Sequence, residues 1–299
     1  MSPADQPTPL LTRGTILAET YRIERWLGQG GMGIVYLARD LVLERDVAVK
    51  ILRPQNAADP RIAELFHREA IAMASVCHIN VVQVFATGAH GALPFFVMEY
   101  VPGQTVAELV GDSYRRGHDL KLGKVSDILY QASRGLTAMR ECGIFHGDVK
   151  PSNMLINSAF HVAISDFGLV GSAHARAAGV KPIASEPGFL GGTPRYVAPE
   201  LVSGVDVPPE QHHLCDVYSL GASVFEMLTG HGPFVGQTVR DILRGHLFTP
   251  PPRVTDRRPD LPSAIDGVVT RALAKNPRDR FQACTELADE VDRVVQLAA

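Results

Sequence analysis

Three groups of residues in this chain have the types and spacing to do chemistry. Gly28-Gln29-Gly30-Gly31-Met32-Gly33 has the G-x-G-x-x-G spacing of a glycine loop. Lys50 ends the apolar run Val47-Ala48-Val49-Lys50. His146-Gly147-Asp148-Val149-Lys150-Pro151-Ser152-Asn153 is followed by Asp166-Phe167-Gly168. A glycine loop can lay backbone N–H groups over phosphates because no Cβ blocks the approach. Dinucleotide-binding folds share that spacing, but there the loop must open a helix whose N-terminus faces the pyrophosphate. Here Gly33 is followed by Ile34-Val35-Tyr36-Leu37-Ala38, a strand pattern, so the loop reads as a hairpin tip. Taken alone it reads as well as an ordinary glycine-rich turn. A lysine in an apolar strand loses solvation unless a charge partners it. Phosphate oxygens or a carboxylate would serve, and Glu69 is the candidate carboxylate. By itself Glu69 fits a solvated helix face equally well.

The elements that must position these groups change period along the chain. Tyr21–Glu24, Val35–Ala38 and Val47–Leu52 read as strands. Residues 60–76 turn helical after Asp59-Pro60, with Ile62, Leu65, Phe66, Glu69, Ala70 and Met73 at helical spacing. Val81–Phe85 and Leu93–Tyr100 return to strand character. Beyond Pro102-Gly103 the pattern is mostly helical, over Val125–Glu141, Val217–Thr229, Val239–Gly245, Ala264–Ala274 and Cys284–Leu297. Short strand pieces at Met154–Ile156 and His161–Ser165 interrupt it. The layout is a small strand-rich unit with one helix, then a larger helical unit.

Composition bounds the function class. The chain has 299 residues, 45% hydrophobic and 20% charged, enough for one large domain or two moderate ones. A net charge of −3 argues against an electrostatic nucleic-acid binder. Four cysteines without C-x-x-C spacing argue against a zinc site or a disulfide framework. The proline-bearing start reads as a disordered leader rather than a signal peptide, and no apolar run reaches the roughly 18 residues of a membrane helix. Only six of 29 basic residues are lysine: Lys50, Lys121, Lys124, Lys150, Lys181 and Lys275. A genome-wide codon bias toward arginine would give such a ratio, yet it makes each lysine worth asking about.

The order of these motifs resembles that of a serine/threonine protein kinase, from about Tyr21 to about Val291. The phrasing Gly30-Gly31-Met32-Gly33, Asp148-Val149-Lys150-Pro151-Ser152-Asn153 and Asp216-Val217-Tyr218-Ser219-Leu220-Gly221 is most similar to bacterial kinases of the eukaryotic-like family. The resemblance implies an α+β, bilobal fold. Residues 1–20 would be a leader and lead-in, 21–101 a small β-rich N-lobe with one long helix, and 102–297 a larger, mainly α-helical C-lobe. Gly28, Gly30, Gly31 and Gly33 would cover the ATP phosphates. Lys50 would hold the α- and β-phosphates and pair with Glu69. Asp148 would take the proton of the attacking hydroxyl, and Lys150 would touch the γ-phosphate. Asn153 and Asp166 would ligate Mg²⁺, or Mn²⁺ in its place. Val35, Ala48 and Leu155 would sandwich the adenine, Glu99 and Val101 would offer it backbone hydrogen bonds, and Met98 would guard the rear of its pocket. Thr193 would bond Asp148 and Lys150, Glu200 would pair with Arg280, and Asp216 would brace the catalytic loop. Lys150 two residues after Asp148 is the serine/threonine pattern, and Gly192–Glu200 matches the segment that docks a peptide, which disfavours a small-molecule kinase.

Two positions depart from the family pattern. Gly147 stands where an arginine usually grips an activation-segment phosphate, a charge-assisted, bidentate grip that glycine cannot mimic. Activity is therefore expected to depend less on that phosphorylation, or else another basic residue such as Arg176 or Lys181 serves in the arginine's place. Ser172 and Ser185 are the candidate phosphosites. Ile79 replaces a common proline and should alter only loop geometry. The competing reading is a pseudokinase scaffold, against which Lys50, Glu69, Asp148, Asn153 and Asp166 all stand. The expected partners are ATP and proteins with serine or threonine acceptors, with a homodimer admitted. Neither nucleic acid nor membrane contact is expected of this segment. The location is expected to be cytoplasmic, or the intracellular part of a membrane receptor kinase if the chain is a fragment.

Overall fold

A computed structural model of the chain describes residues 10–30, 32–167, 193–203 and 207–298. They form two compact units, one of residues up to Ser75 with Val82–Tyr100, the other of Val76–Val81 with the chain from Val101 onward. The first is strand-rich and the second mainly helical, an α+β division.

The first unit is a six-stranded antiparallel sheet in the order β1-β2-β3-β4-β6-β5. Its strands are β1 (Ile16–Leu17), β2 (Tyr21–Gln29), β3 (Gly33–Asp40), β4 (Arg45–Leu52), β5 (Val84–His90) and β6 (Leu93–Glu99). Side chains alternate between faces along a strand. Val47, Val49 and Ile51 of β4 therefore join Ile23, Tyr36, Ala38, Phe95 and Val97 in one apolar cluster, while Ala48 and Lys50 take the opposite face. A four-residue turn of helix, α1 (Pro54–Ala57), leads into α2 (Pro60–Ala74). Asp59 caps α2 by accepting the Arg61 N–H at 2.9 Å, and Pro60 presets its first φ angle.

One predicted strand moves. Of residues 81–85 only Val84 and Phe85 lie in a strand; β5 begins at Val84 and runs to His90. Val81 instead makes an isolated parallel bridge to Ile164 in the second unit. The Ile164 N–H donates to the Asn80 carbonyl at 2.9 Å, and Asn80 Nδ2 donates to the Val162 carbonyl at 2.7 Å. Against that same Asn80 carbonyl a Cβ at Gly135 would stand only 2.5 Å away, so helix and strand close on the segment from both sides. Ile79, between these anchors, is 72% exposed.

The second unit contains the three-stranded sheet β7 (Gly103–Thr105), β8 (Met154–Asn157) and β9 (Val162–Ile164). Around it lie α3 (Val106–Arg115), α4 (Leu122–Glu141), α5 (Pro199–Ser203), α6 (His213–Thr229), α7 (Val239–Phe248), α8 (Ala264–Ala272) and α9 (Cys284–Ala298). The run Val217–Leu228 of α6 is buried on nearly every side, as a helix apolar all round must be. It stops at Gly230, whose φ of +74° closes the last turn in the left-handed region. No helix among the described residues is long and apolar enough to cross a membrane.

Candidate active site

In the first unit β4 and α2 bring Lys50 and Glu69 together. Lys50 Nζ donates to Glu69 Oε1 at 2.7 Å, with both side chains buried. The ammonium also lies 5.6 Å from the centre of the ring of Phe96, its cross-strand neighbour, and Phe96 packs on Phe66 of α2. The sheet thus sets the lysine and the helix sets its counter-charge. Val35 faces Lys50 across the β3–β4 pair, and Ala48 faces Met98 across the β4–β6 pair. The Glu99 N–H is committed to the Gln83 carbonyl at 2.8 Å, so of its backbone groups only the carbonyl could serve a base. Gly28 pairs with Val35 in the hairpin, and the Gly30 N–H donates to the Gly33 carbonyl at 2.9 Å. A Cβ at Gly33 would stand 2.8 Å from the Ile51 carbonyl oxygen, so close strand packing enforces glycine there. Gly31 lies outside the described residues.

In the second unit the segment before β8 folds round one carboxylate. The Thr193 N–H donates to Asp148 Oδ1 at 3.1 Å. Lys150 Nζ contacts Asp148 Oδ2 and donates to Thr193 Oγ1 at 2.6 Å. Asn153 Nδ2 donates to the Asp148 carbonyl (2.9 Å) and, more weakly, to the Asp166 carbonyl (3.3 Å). Those bonds leave the Asn153 side-chain oxygen, the atom a cation would need, without a donor among the described residues. Asp166 holds a φ of +57°, a left-handed backbone uncommon for a residue with a side chain. Val101 and Leu155 also belong to this unit, Leu155 pairing with Thr105 and Ala163. No cluster of three or more His, Cys, Asp or Glu among the described residues could enclose a metal. The asparagine oxygen and the Asp166 carboxylate fit a magnesium ion that keeps waters and phosphate oxygens as its other ligands.

Beneath this layer the loop is fixed by buried groups. Asp216 of α6 accepts the His146 N–H at 2.7 Å and the Gly147 N–H at 2.8 Å, one on each oxygen. Burial pushes its carboxyl up to about 7, against the pull of those two N–H groups, and the charge of Asp148 adds to the rise. Gly147 has a φ of +77°. The buried His146 ring accepts the Asp148 N–H on Nδ1 (3.2 Å), which leaves Nε2 to donate to the Ser165 carbonyl (3.1 Å). Burial lowers the pKa of that ring, in keeping with the neutral tautomer. This imidazole joins the loop bearing Asp148 to the strand end bearing Asp166. The sequence showed His146 only as the first letter of a motif and gave its ring no task.

Glu200 and Arg280 form a two-bonded pair, 2.7 Å and 2.8 Å, with Arg280 also donating to the Leu214 and Ala274 carbonyls. Burial alone would raise the Glu200 carboxyl, but the guanidinium outweighs it and holds the pKa below the usual value. Cys215 donates to Glu200 Oε1 at 3.2 Å. None of the four cysteines is in a disulfide. Arg176, Lys181, Ser172 and Ser185 lie outside the described residues.

Comparison with known proteins extends this local picture. A family model described as protein kinase domain matches residues 21–291. The serine/threonine-protein kinase PknB of Mycobacterium leprae is 36% identical over 282 residues, 93% of this chain and 43% of that protein. A probable serine/threonine-protein kinase of Clostridium acetobutylicum is 31% identical over 281 residues, 94% of this chain and 41% of that protein. The chain thus spans less than half the length of these relatives. Among solved structures, the kinase domain of Mycobacterium tuberculosis PknI superposes with a TM-score of 0.72 at 30% identity, covering 95% of this chain and 99% of that one.

Proposed function

The chain belongs to the protein kinase domain family, and from that premise we propose that it is a serine/threonine protein kinase. It moves the γ-phosphoryl group of Mg·ATP to serine and threonine hydroxyls of proteins, itself included. The observation that carries this reading is the Asp148 carboxylate, whose two oxygens are set by the Thr193 N–H and by Lys150. A carboxylate so fixed can accept the proton of an attacking hydroxyl as the oxygen bonds to phosphorus and ADP leaves. Lys150, bonded to both Asp148 and Thr193, keeps a positive charge beside the position where the transferred group develops charge. The relatives named as serine/threonine kinases support the acceptor class.

The remaining roles divide between the two units. In the first, Gly28, Gly30, Gly31 and Gly33 cover the phosphates, Lys50 held by Glu69 binds the α- and β-phosphates, and Val35, Ala48, Met98 and Glu99 take the base. In the second, Val101 and Leu155 complete the contacts to the base. Asn153 and Asp166 would hold a magnesium ion, whose chemistry there would be to neutralise phosphate charge. Incubating the chain with labelled ATP and Mg²⁺ tests the reading. Label should appear on serine or threonine, and Asp148→Asn should lower the rate by roughly 10²–10⁴, the usual worth of a positioned base. Equal signals from the two proteins, or none from either, would leave a scaffold.

Gly147 supports a second element of the proposal, that activity does not wait on activation-segment phosphorylation. The backbone N–H of Gly147 is held by Asp216, and there is no side chain at that position to grip a phosphate. A Ser172→Ala/Ser185→Ala double variant and a phosphatase-treated sample should both keep most of the wild-type rate. A large loss in either would show that a phosphate on the segment is required.

A further inference from the structure

The glycine hairpin is tied down by the turn that follows β4. The β3–β4 ladder ends at the Gly33–Leu52 pair, and the Arg53 N–H carries it one step further onto the Met32 carbonyl at 3.2 Å. Asn56 Nδ2 donates a second hydrogen bond to that same oxygen at 2.8 Å. The side chain of Arg53 crosses to the other arm of the hairpin, where Nη2 donates to Gln29 Oε1 at 3.1 Å. Gln29 ends β2, so the turn grips the hairpin on both sides of its tip.

The turn is itself rigid. Pro54 stands at its first position, and the Arg53 carbonyl accepts the N–H groups of Asn56 (3.0 Å) and Ala57 (2.9 Å). Arg53 and Asn56 are therefore fixed relative to one another before they reach the hairpin. A tip of glycines has more backbone freedom to lose than any other segment, and a ligand that orders it must offset that loss. The three bonds remove much of the freedom in advance.

We propose that Arg53 and Asn56 are positioning residues that hold the glycine hairpin in order for an incoming nucleoside triphosphate. The proposal rests on reading that hairpin as the phosphate-covering loop. It extends that reading to residues that touch no substrate and lie outside the glycine motif. Their effect falls on nucleotide binding and leaves the transfer step alone.

The test compares wild type with Asn56→Ala, Arg53→Ala and Gln29→Ala, each checked for an unchanged unfolding midpoint. Steady-state kinetics with varied ATP are joined by hydrogen exchange at the Gly30 and Arg53 amides, which donate at the hairpin. Trp26, the sole tryptophan and 43% exposed on β2, offers a fluorescence titration with ADP. Each variant should raise the KM for ATP and the Kd for ADP roughly threefold to tenfold, the worth of one net hydrogen bond, with kcat held within about twofold. Both amides should exchange faster. Arg53→Ala and Gln29→Ala combined should cost no more than either alone, because they break one contact. Unchanged KM, Kd and exchange would overturn the proposal, as would a fall in kcat at constant KM. Should wild type itself neither bind ADP nor transfer phosphate, the kinase reading and the nucleotide role fall together, whereas a wild type that does both beside indifferent variants removes the proposal alone.

Discussion

Gly147 and Asp166 hold left-handed backbone angles, φ +77° and +57°, at two positions of one catalytic loop region. Only the glycine does so without steric cost. Asp166 bears the cost at a position where the proposed function puts a magnesium ligand; at 147 the family's usual arginine is absent and the loop keeps the angle free of strain. Gly147→Ala should therefore destabilise the protein by about 1 kcal/mol, read as a lower urea midpoint at unchanged slope. An unchanged midpoint would mean that the loop shifts to relieve the angle. The lysines also sort at this scale. Lys50 and Lys150 each sit against a carboxylate, Glu69 in the first unit and Asp148 in the second. Lys275 donates to the Gly245 carbonyl at the end of α7, and burial lowers its pKa to about 8. Lys124 lies over the Phe160 ring. Scarcity flagged all of these alike; only contacts separate the ones that could meet a phosphate from the ones that pack.

Among the elements, the helix α3 has its start written in the sequence. Thr105 accepts the Glu108 N–H at 3.1 Å while Glu108 accepts the Thr105 N–H at 2.8 Å, a reciprocal cap that T-x-x-E spacing encodes. Thr238 and Asp241 repeat the arrangement at α7. The far end of α7 carries the fully buried His246, whose Nδ1 lies 2.9 Å from the Tyr218 hydroxyl of α6, with the Phe234 ring edge-on at 4.9 Å. Burial first, and the Lys275 charge second, lower its pKa from 6.5 to about 4. A ring kept neutral in the folded state but free to protonate when unfolded gives stability that is full above pH 6.5 and is lost as pH falls toward 4. Between pH 7.5 and 5 that loss is about 2 kcal/mol. His246→Gln should shrink the fall in Tm over this interval by roughly 3 °C. The same fall in both proteins would place the acid sensitivity elsewhere.

At the scale of the whole molecule, much was legible because the signals are local and periodic. The pattern after Gly33 marked a hairpin rather than a helix start, and the strand-to-helix change at Pro60 marked α2. Motif order implied an α+β kinase fold, and the family match over residues 21–291 agrees. What stayed hidden depends on neighbours distant in sequence. The apolar run 81–85 could not reveal that Val81 lies in an isolated parallel bridge opposite Ile164 while β5 starts at Val84, since alternation fixes a face but names no partner strand. Nor could spacing decide between a solvated Glu69 and one closed on Lys50 at 2.7 Å, because that depends on where α2 lies against β4. The ring of His146 and the grip of Arg53 and Asn56 on the hairpin share that dependence, whereas the brace of Asp216 was implied by the family resemblance. By itself the sequence determined which residue types are present and which local element each occupies, because propensity and period act over a few residues. Only the tertiary structure decided which donor meets which acceptor, because burial and hydrogen bonding join atoms that chain order holds apart.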